Sequence, residues 1–413
     1  MNRTTLRPAT LAGWLLVVAV GAYIAFEDAP WRVPMPAGLP LVPIWASSVV
    51  LLAAGSLLIR RRLEPVVVLA AMALVAGLLF DATFFEGVAF RDLGIYLRAG
   101  LDFRLGQPIY LTDLVRSLPA DPTAYPYLYP PPTLPFAAVL SLLPDALVTI
   151  AWEAMLLASA LGGMRLVGVG WRWGIVLLAW PPFAQGLYVG NVALPLFLLF
   201  AAGPFLGASL LVGALLKPQS AIAGLWLVRE RRWQAIGVAI GILAGLVVVT
   251  LPITGVDPWR AWLDGLGWFS RSQPLVPRTF YGLALAEYVP AILAIGAAVA
   301  ALLAALLVRG RPGLARLGVA SVVASPSLYA HGFTIALPAL LELRALVFWT
   351  AIAITSVAGG LSWFAALALV AGGWFVPVLR RSADARQGSE DQLHPLADAA
   401  DPWPAARGAE PDQ

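Results

Sequence analysis

The sequence predicts an all-α protein that crosses the membrane many times, with about 11–13 transmembrane helices. Three observations carry that reading. Hydrophobic residues make up 60% of the 413 positions, while charged residues make up only 12%. Soluble domains carry about 25% charged residues. Apolar runs near the ~20 residues that span a bilayer recur along nearly the whole chain. A long polar segment then interrupts them after the early runs, at 86–133, and holds the residues with the most chemical character.

The elements follow in order. MNRTTLRPAT has a basic start and precedes the apolar LAGWLLVVAVGAYIAF with no small-residue cleavage site, which predicts a retained first span rather than a removed signal peptide. Expected spans are 11–26, 41–59, 65–85, 146–166, 174–189, 192–202, 208–228, 235–253, 289–308, 314–330, 333–341, 345–358 and 361–379. The segment 208–228 contains Lys217–Pro218 and reads as a broken helix or a re-entrant pair. Residues 1–380 form the transmembrane domain on this reading. Residues 381–413 are polar, rich in Pro and without helical periodicity, which predicts a disordered cytoplasmic tail that includes His394.

Arginine placement orients the chain, because short cytoplasmic loops are enriched in Lys and Arg. The basic groups are Arg3 with Arg7, Arg60–Arg61–Arg62, Arg165 with Arg172, Arg229 with Arg231 and Arg232, Arg309 with Arg311 and Arg316, and Arg380–Arg381. With all of these on the cytoplasmic side, the loops 86–133 and 254–288 fall outside. So do the turn at Gly190–Asn191 and the segment 325–331. The unusual polar segments therefore gather on one face, which predicts one external site.

The first external loop reads FRDLGIYLRAGLDFRLGQPIY and later YPYLYPPP. Loops of this length usually carry function. Leu93, Tyr96, Leu97, Gly100, Leu101 and Leu105 recur at helical spacing, with Arg91, Arg98 and Asp102 on another face. This pattern suits a helix lying in the membrane interface. Asp92 at its start reads either as an N-cap or as a general base held near a reacting hydroxyl. Asp102 reads as an i, i+4 partner of Arg98. The block Tyr125, Tyr127, Tyr129 and Pro130–Pro131–Pro132 reads as an interfacial aromatic belt or as a sugar-stacking wall.

Lys217 is the only lysine in the chain. An ammonium in an apolar span is costly unless paired or solvated, so it is a functional candidate, with a snorkelling lysine as the bland alternative. A phosphate is its natural partner. Glu153 is a second intramembrane charge with structural and functional readings open. His331, near the external end of a span, reads as a packing residue or as part of the site. Gln185 and Asn191 flank the YVGN turn and offer hydrogen-bonding groups on the same side, although GN is also an ordinary turn.

Absences exclude other classes. The chain has no HExxH pair, no Walker loop and no cysteine, which argues against a zinc hydrolase and against ATP hydrolysis. No DxD-type pair stands out, so a cytoplasmic nucleotide sugar is not the expected donor. No metal, cofactor or nucleic acid partner is expected.

The motifs together resemble a known family. RDLGIYLRAGLDFRLGQPIY is similar to its pattern of an Asp, a Tyr-x-x-Ala helix and Gly-x-x-x-Tyr. YPYLYPPPTLPFAAVLSLLP resembles its Tyr-Pro-Pro block. VGNVALPLFLL, GALLKPQSAIAGLWLVRERRW and SPSLYAHGFTIALPALL resemble its Gly-Asn turn, Leu-Lys-Pro helix and Ser-Pro…His segment. This is glycosyltransferase family 87 of the membrane GT-C superfamily, and the resemblance covers roughly residues 80 to 345. It implies a GT-C-type bundle in the cell membrane whose active site faces the extracytoplasmic side. The implied activity is inverting transfer of a sugar, with mannose expected, from a polyprenyl-phosphate donor to a lipid-linked glycan or other acceptor. Asp92 takes the place of the catalytic base. His331 and Lys217 correspond to donor phosphate-binding residues, joined in the expected site by Arg271 and Arg278 of the second external loop. Tyr96, Tyr127, Tyr129, Gln185 and Asn191 are the expected substrate-binding residues. The rival reading is a transporter or flippase for a lipid or small solute, which also uses broken helices and intramembrane charge. The long external loop and the lack of visible inverted repeats favour the enzyme.

Overall fold

In the computed structural model the described residues are 90–117, 126–178, 180–272, 284–285, 288–325, 328–343 and scattered positions between 347 and 372. The expected spans 11–26, 41–59 and 65–85, the tail 381–413, Tyr125 and Arg278 lie outside them. The described residues are helical, with no strand among them. The chain divides into a first unit, Met1–Val370, and a second, Ala371–Gln413, of which only residues 371 and 372 are described.

Two helices among the described residues are long and apolar enough to cross a bilayer, Asp145–Leu166 and Trp233–Thr254. Each has 22 residues, about 33 Å at 1.5 Å per residue, which matches a hydrocarbon core of about 30 Å. Trp233–Thr254 leaves Ile240, Val248, Val249 and Ile253 exposed, and Ala291–Leu306 leaves Ile292, Leu293, Ile295 and Leu303 exposed. Contiguous apolar faces of this kind are poorly tolerated in water and suit lipid. They mark a membrane protein.

The core forms where Asp145–Leu166 packs against Ala193–Ala202. Leu156, Leu194 and Phe197 are fully buried there. Gly163 makes the close approach possible, because a Cβ at that position would lie 2.6 Å from the Phe197 ring. Truncating a buried Phe such as Phe197 to Ala costs about 3–5 kcal/mol in comparable cores.

Two expected spans are interrupted, each for a backbone reason. The segment 174–189 divides into Trp171–Leu177 and Pro181–Val189. Pro181 pushes Trp180 to an extended conformation (φ −63°, ψ 131°), as proline does to its predecessor. In the segment 208–228, Ser209–Val212 is followed by 3₁₀ turns at Gly213–Leu215 and Pro218–Gly224, and then by Leu225–Arg229. Lys217 is extended there (φ −148°, ψ 112°) because it precedes Pro218. Its freed carbonyl accepts from Ser220 Oγ at 2.7 Å. The broken reading of this segment matches the structure.

The second loop, 254–288, contains a helix, Asp257–Ser272. It packs on Thr112–Ser117 and Pro131–Thr133 of the first loop. Trp262 Nε1 donates to the Leu128 carbonyl at 2.9 Å, and the Arg116 guanidinium lies 4.1 Å from the centre of the Trp268 ring.

Candidate active site

The site begins at the helix Arg91–Arg104. Its N-cap, Phe90, is left-handed (φ 59°, ψ 25°) and donates its N–H to the Tyr188 carbonyl at 2.8 Å. A bulky residue in this region is strained by about 1–2 kcal/mol, and strain of this kind concentrates at functional sites. The bend ties the start of the helix to the Pro181–Val189 helix and its Gly190–Asn191 turn.

Asp92 therefore lies inside the first turn, and the capping reading fails. No side chain caps this helix. The buried Asp92 carboxylate accepts instead from Arg91 Nε at 2.8 Å and from the Asn191 side-chain amide. Asn191 has two tasks. Its Oδ1 accepts the Ala193 N–H at 2.8 Å, capping the next helix, while its Nδ2 holds Asp92. Gly190 must be glycine for the turn to close. Its φ is +72°, and a Cβ there would lie 3.1 Å from Leu93 Cβ. Trp152 Nε1 donates to the Gly190 carbonyl at 2.9 Å and fixes the turn from the other side.

The tyrosines frame this carboxylate. Tyr96 and Tyr129 share a hydroxyl–hydroxyl bond of 2.9 Å, Tyr110 donates to the Tyr129 carbonyl at 2.8 Å, and the Tyr127 hydroxyl pairs with Thr133. Tyr96 and Tyr129 meet edge to face at 5.1 Å between ring centres. Burial pushes the phenols of Tyr96, Tyr110, Tyr127 and Tyr129 up from their ordinary range, so all four keep their protons at physiological pH. With rings and hydroxyls engaged on one another, the block is a packed frame rather than an open stacking wall.

Lys217 and His331 lie close to this group. Asp92 and Lys217 are within electrostatic range of each other, and Lys217 and Arg91 are within range of His331. The Lys217 ammonium makes no hydrogen bond or ion pair among the described residues. It lines a small cavity with Ser220, Ser321, Ser325, Tyr329 and Thr334. The Ser321 hydroxyl on that wall is buried with no hydrogen-bond partner among the described residues. Asp92 does not line this cavity; Ala193, whose N–H Asn191 caps, does. Gln185 bonds to His331 through both the backbone N–H and the ring.

Other candidates lie apart. Arg271 ends the Asp257–Ser272 helix and sits over Trp268 at 4.3 Å, with no hydrogen bond to Asp92, Lys217 or His331. Asp102 pairs with Arg98 at 2.9 Å, as i, i+4 spacing predicts. Glu153 leaves one carboxyl oxygen buried without a hydrogen-bond partner among the described residues. Sequence reasoning passed over Arg91, Trp152 and Ser321. Helical spacing sets Arg91 on the polar face with Arg98, and only its adjacency to Asp92 hints otherwise. Trp152 was hidden in an apolar run, and a lone serine carries no signal.

Comparison with known proteins now bears on this arrangement. The family model for glycosyltransferase family 87 matches residues 127–330. Over these residues the chain is similar to glycosyltransferase family 87. The match holds Tyr127, Tyr129, Gln185, Asn191 and Lys217; Asp92 and Tyr96 precede it, and His331 follows directly. A curated relative from Mycolicibacterium smegmatis is a polyprenol-phosphate-mannose-dependent alpha-(1-2)-phosphatidylinositol pentamannoside mannosyltransferase, 28% identical over 235 residues. The alignment covers 52% of this chain and 55% of that protein, so the chain matches about half the length of the relative. No solved structure matches.

Proposed function

We propose that the protein is an inverting glycosyltransferase of the cell membrane that moves mannose from a polyprenyl-phosphate donor to a glycolipid or glycan acceptor on the extracytoplasmic face. On this reading the chain completes a GT-C-type bundle, with 86–133 and 254–288 outside. The observation that carries the chemistry is the charge pattern of the site. Arg91 already answers Asp92, which leaves Lys217 as an uncommitted cation on a polar cavity wall. An ionised phosphodiester is the ligand that such an ammonium suits.

The reaction is a single displacement. The acceptor hydroxyl oxygen attacks the anomeric carbon of the donor sugar, and Asp92 takes its proton. The bond from that carbon to the phosphate oxygen breaks on the opposite face, which inverts the configuration. The leaving polyprenyl phosphate carries the electron pair away, and Lys217 meets its charge. A phosphate is a good leaving group, so positioning and charge stabilisation supply the catalysis. Asn191 and Arg91 aim the carboxylate, and the tyrosine frame excludes water around it.

The test is transfer of labelled mannose from polyprenyl-phosphate mannose to membrane glycolipids by the purified protein, with other lipid-linked sugars as competitors. Comparison of the anomeric configuration of donor and product reads out inversion. Movement of the lipid between leaflets without any new glycosidic bond would replace this reading with a flippase.

A further inference from the structure

The contact between Gln185 and His331 fixes the chemistry of the imidazole. The His331 backbone N–H donates to Gln185 Oε1 at 2.9 Å, and ring Nδ1 lies 3.2 Å from the same oxygen. A backbone N–H only donates, so the atom facing it must be the amide oxygen. That oxygen only accepts, so Nδ1 must carry a proton. In a neutral ring, Nε2 is then a bare lone pair.

The ring is neutral for reasons of position. His331 lies between the apolar segments 314–330 and 333–341 and is 1% exposed. Burial holds its pKa well below the ordinary imidazole range, and the positive charges of Lys217 and Arg91 push the same way. Tyr329 stacks on the ring at 5.5 Å with an interplanar angle of 12°. Nε2 has no hydrogen-bond partner among the described residues. His331 does not itself line the cavity that holds Lys217, but Tyr329 and Gly332, on either side of it in the chain, do.

The geometry points to His331 as an acceptor: Nε2 takes a hydrogen bond from a hydroxyl of the transferred sugar, and Gln185 is the positioning residue that sets the tautomer. A phosphodiester offers only oxygen lone pairs, which a bare Nε2 repels. This departs from the phosphate-binding role that family resemblance implies for His331. The identity of the hydroxyl rests on the glycosyltransferase reading; the tautomer does not. The sugar of the donor is its source, because Lys217, the assigned phosphate partner, lies within electrostatic range of the ring and shares a cavity wall with Tyr329 and Gly332.

The chain has two histidines, so His394→Gln leaves His331 as the only imidazole. Nitrogen NMR of that full-length variant, labelled at histidine and held in detergent, reads each ring nitrogen. The expected spectrum at neutral pH shows Nδ1 protonated and Nε2 bare. Short-chain polyprenyl phosphate should leave Nε2 bare, and short-chain polyprenyl-phosphate mannose should shift it as it gains a hydrogen bond. An Nε2-protonated or doubly protonated ring, before or after polyprenyl phosphate is added, overturns the proposal. Labelled donor retained with Nε2 unchanged overturns the sugar subsite alone. Failure to retain labelled donor at all overturns the transferase reading and the subsite with it.

Discussion

Asn191 offers the sharpest perturbation of the site, because its two ends can be changed separately. Asn191→Ala removes both the bond to the Asp92 carboxylate and the cap on the Ala193 N–H. A hydrogen bond to a charged group contributes about 1.5–3 kcal/mol, and an Asn cap about 0.5–2 kcal/mol. The two together predict a loss of roughly 2–5 kcal/mol, seen as faster thermal inactivation at a fixed heating rate. Asn191→Asp keeps the cap, since Asp caps as well as Asn, but sets a second carboxylate against Asp92. Two carboxylates at hydrogen-bond distance cannot both ionise at the usual pH, so the pair holds one proton well above the ordinary range. A general base that holds a proton is inactive. Transfer by Asn191→Asp should therefore be low at neutral pH and recover as pH rises, while thermal stability stays nearer wild type than in Asn191→Ala. The assay is the rate of mannose transfer against pH, paired with thermal inactivation of all three proteins. An Asn191→Asp protein with the wild-type rate and pH profile would refute the claim that Asn191 holds the reacting carboxylate.

Three further outcomes follow from the same geometry. Gly190→Ala should lose about 1–2 kcal/mol from the left-handed backbone alone, plus the displacement of Leu93, and a stable, fully active variant in thermal and transfer assays would contradict the turn's role. Lys217→Met should raise KM for the donor about tenfold or more, the value of a charge-assisted bond, and an unchanged KM would remove Lys217 from the phosphate site. For the buried tyrosines the sign is set by their raised folded-state pKa. Their stability contribution is complete below the ordinary phenol pKa of about 10 and falls as pH rises past it, because the unfolded chain releases protons that the folded chain keeps. Absorbance titration of tyrosinate should show the buried phenols ionising only on unfolding, and ionisation of all ten tyrosines in the folded protein would contradict the packed frame.

Much of this was legible in the sequence because composition and spacing act locally. The helix Arg91–Arg104 was legible in its apolar spacing, and the break at Lys217 in a single proline. The Arg98–Asp102 pair followed from i, i+4 geometry. The partners of Asp92 were not legible. A carboxylate at a helix start ordinarily caps it, and only the left-handed Phe90 bond to Tyr188 moves the helix start one residue back and turns Asp92 towards Asn191, 99 positions on. The break at Pro181 was missed because an apolar run conceals a proline that sits at a helix start. The Tyr-Pro block was ambiguous for a different reason. Composition does not say whether a phenol faces lipid, sugar or another phenol, and here Tyr96, Tyr127 and Tyr129 face one another.

The central claim, that the Asp92 carboxylate takes the acceptor's proton, is tested most directly by Asp92→Asn. The amide retains the shape and a partner oxygen for Asn191 but cannot accept a proton at neutral pH. Transfer of labelled mannose from polyprenyl-phosphate mannose should fall by about 10²- to 10⁴-fold, the usual worth of a general base, in a protein that still folds and binds the donor, with thermal stability lowered by the lost charge opposite Arg91. A folded Asp92→Asn protein that transfers mannose at nearly the wild-type rate would contradict the account.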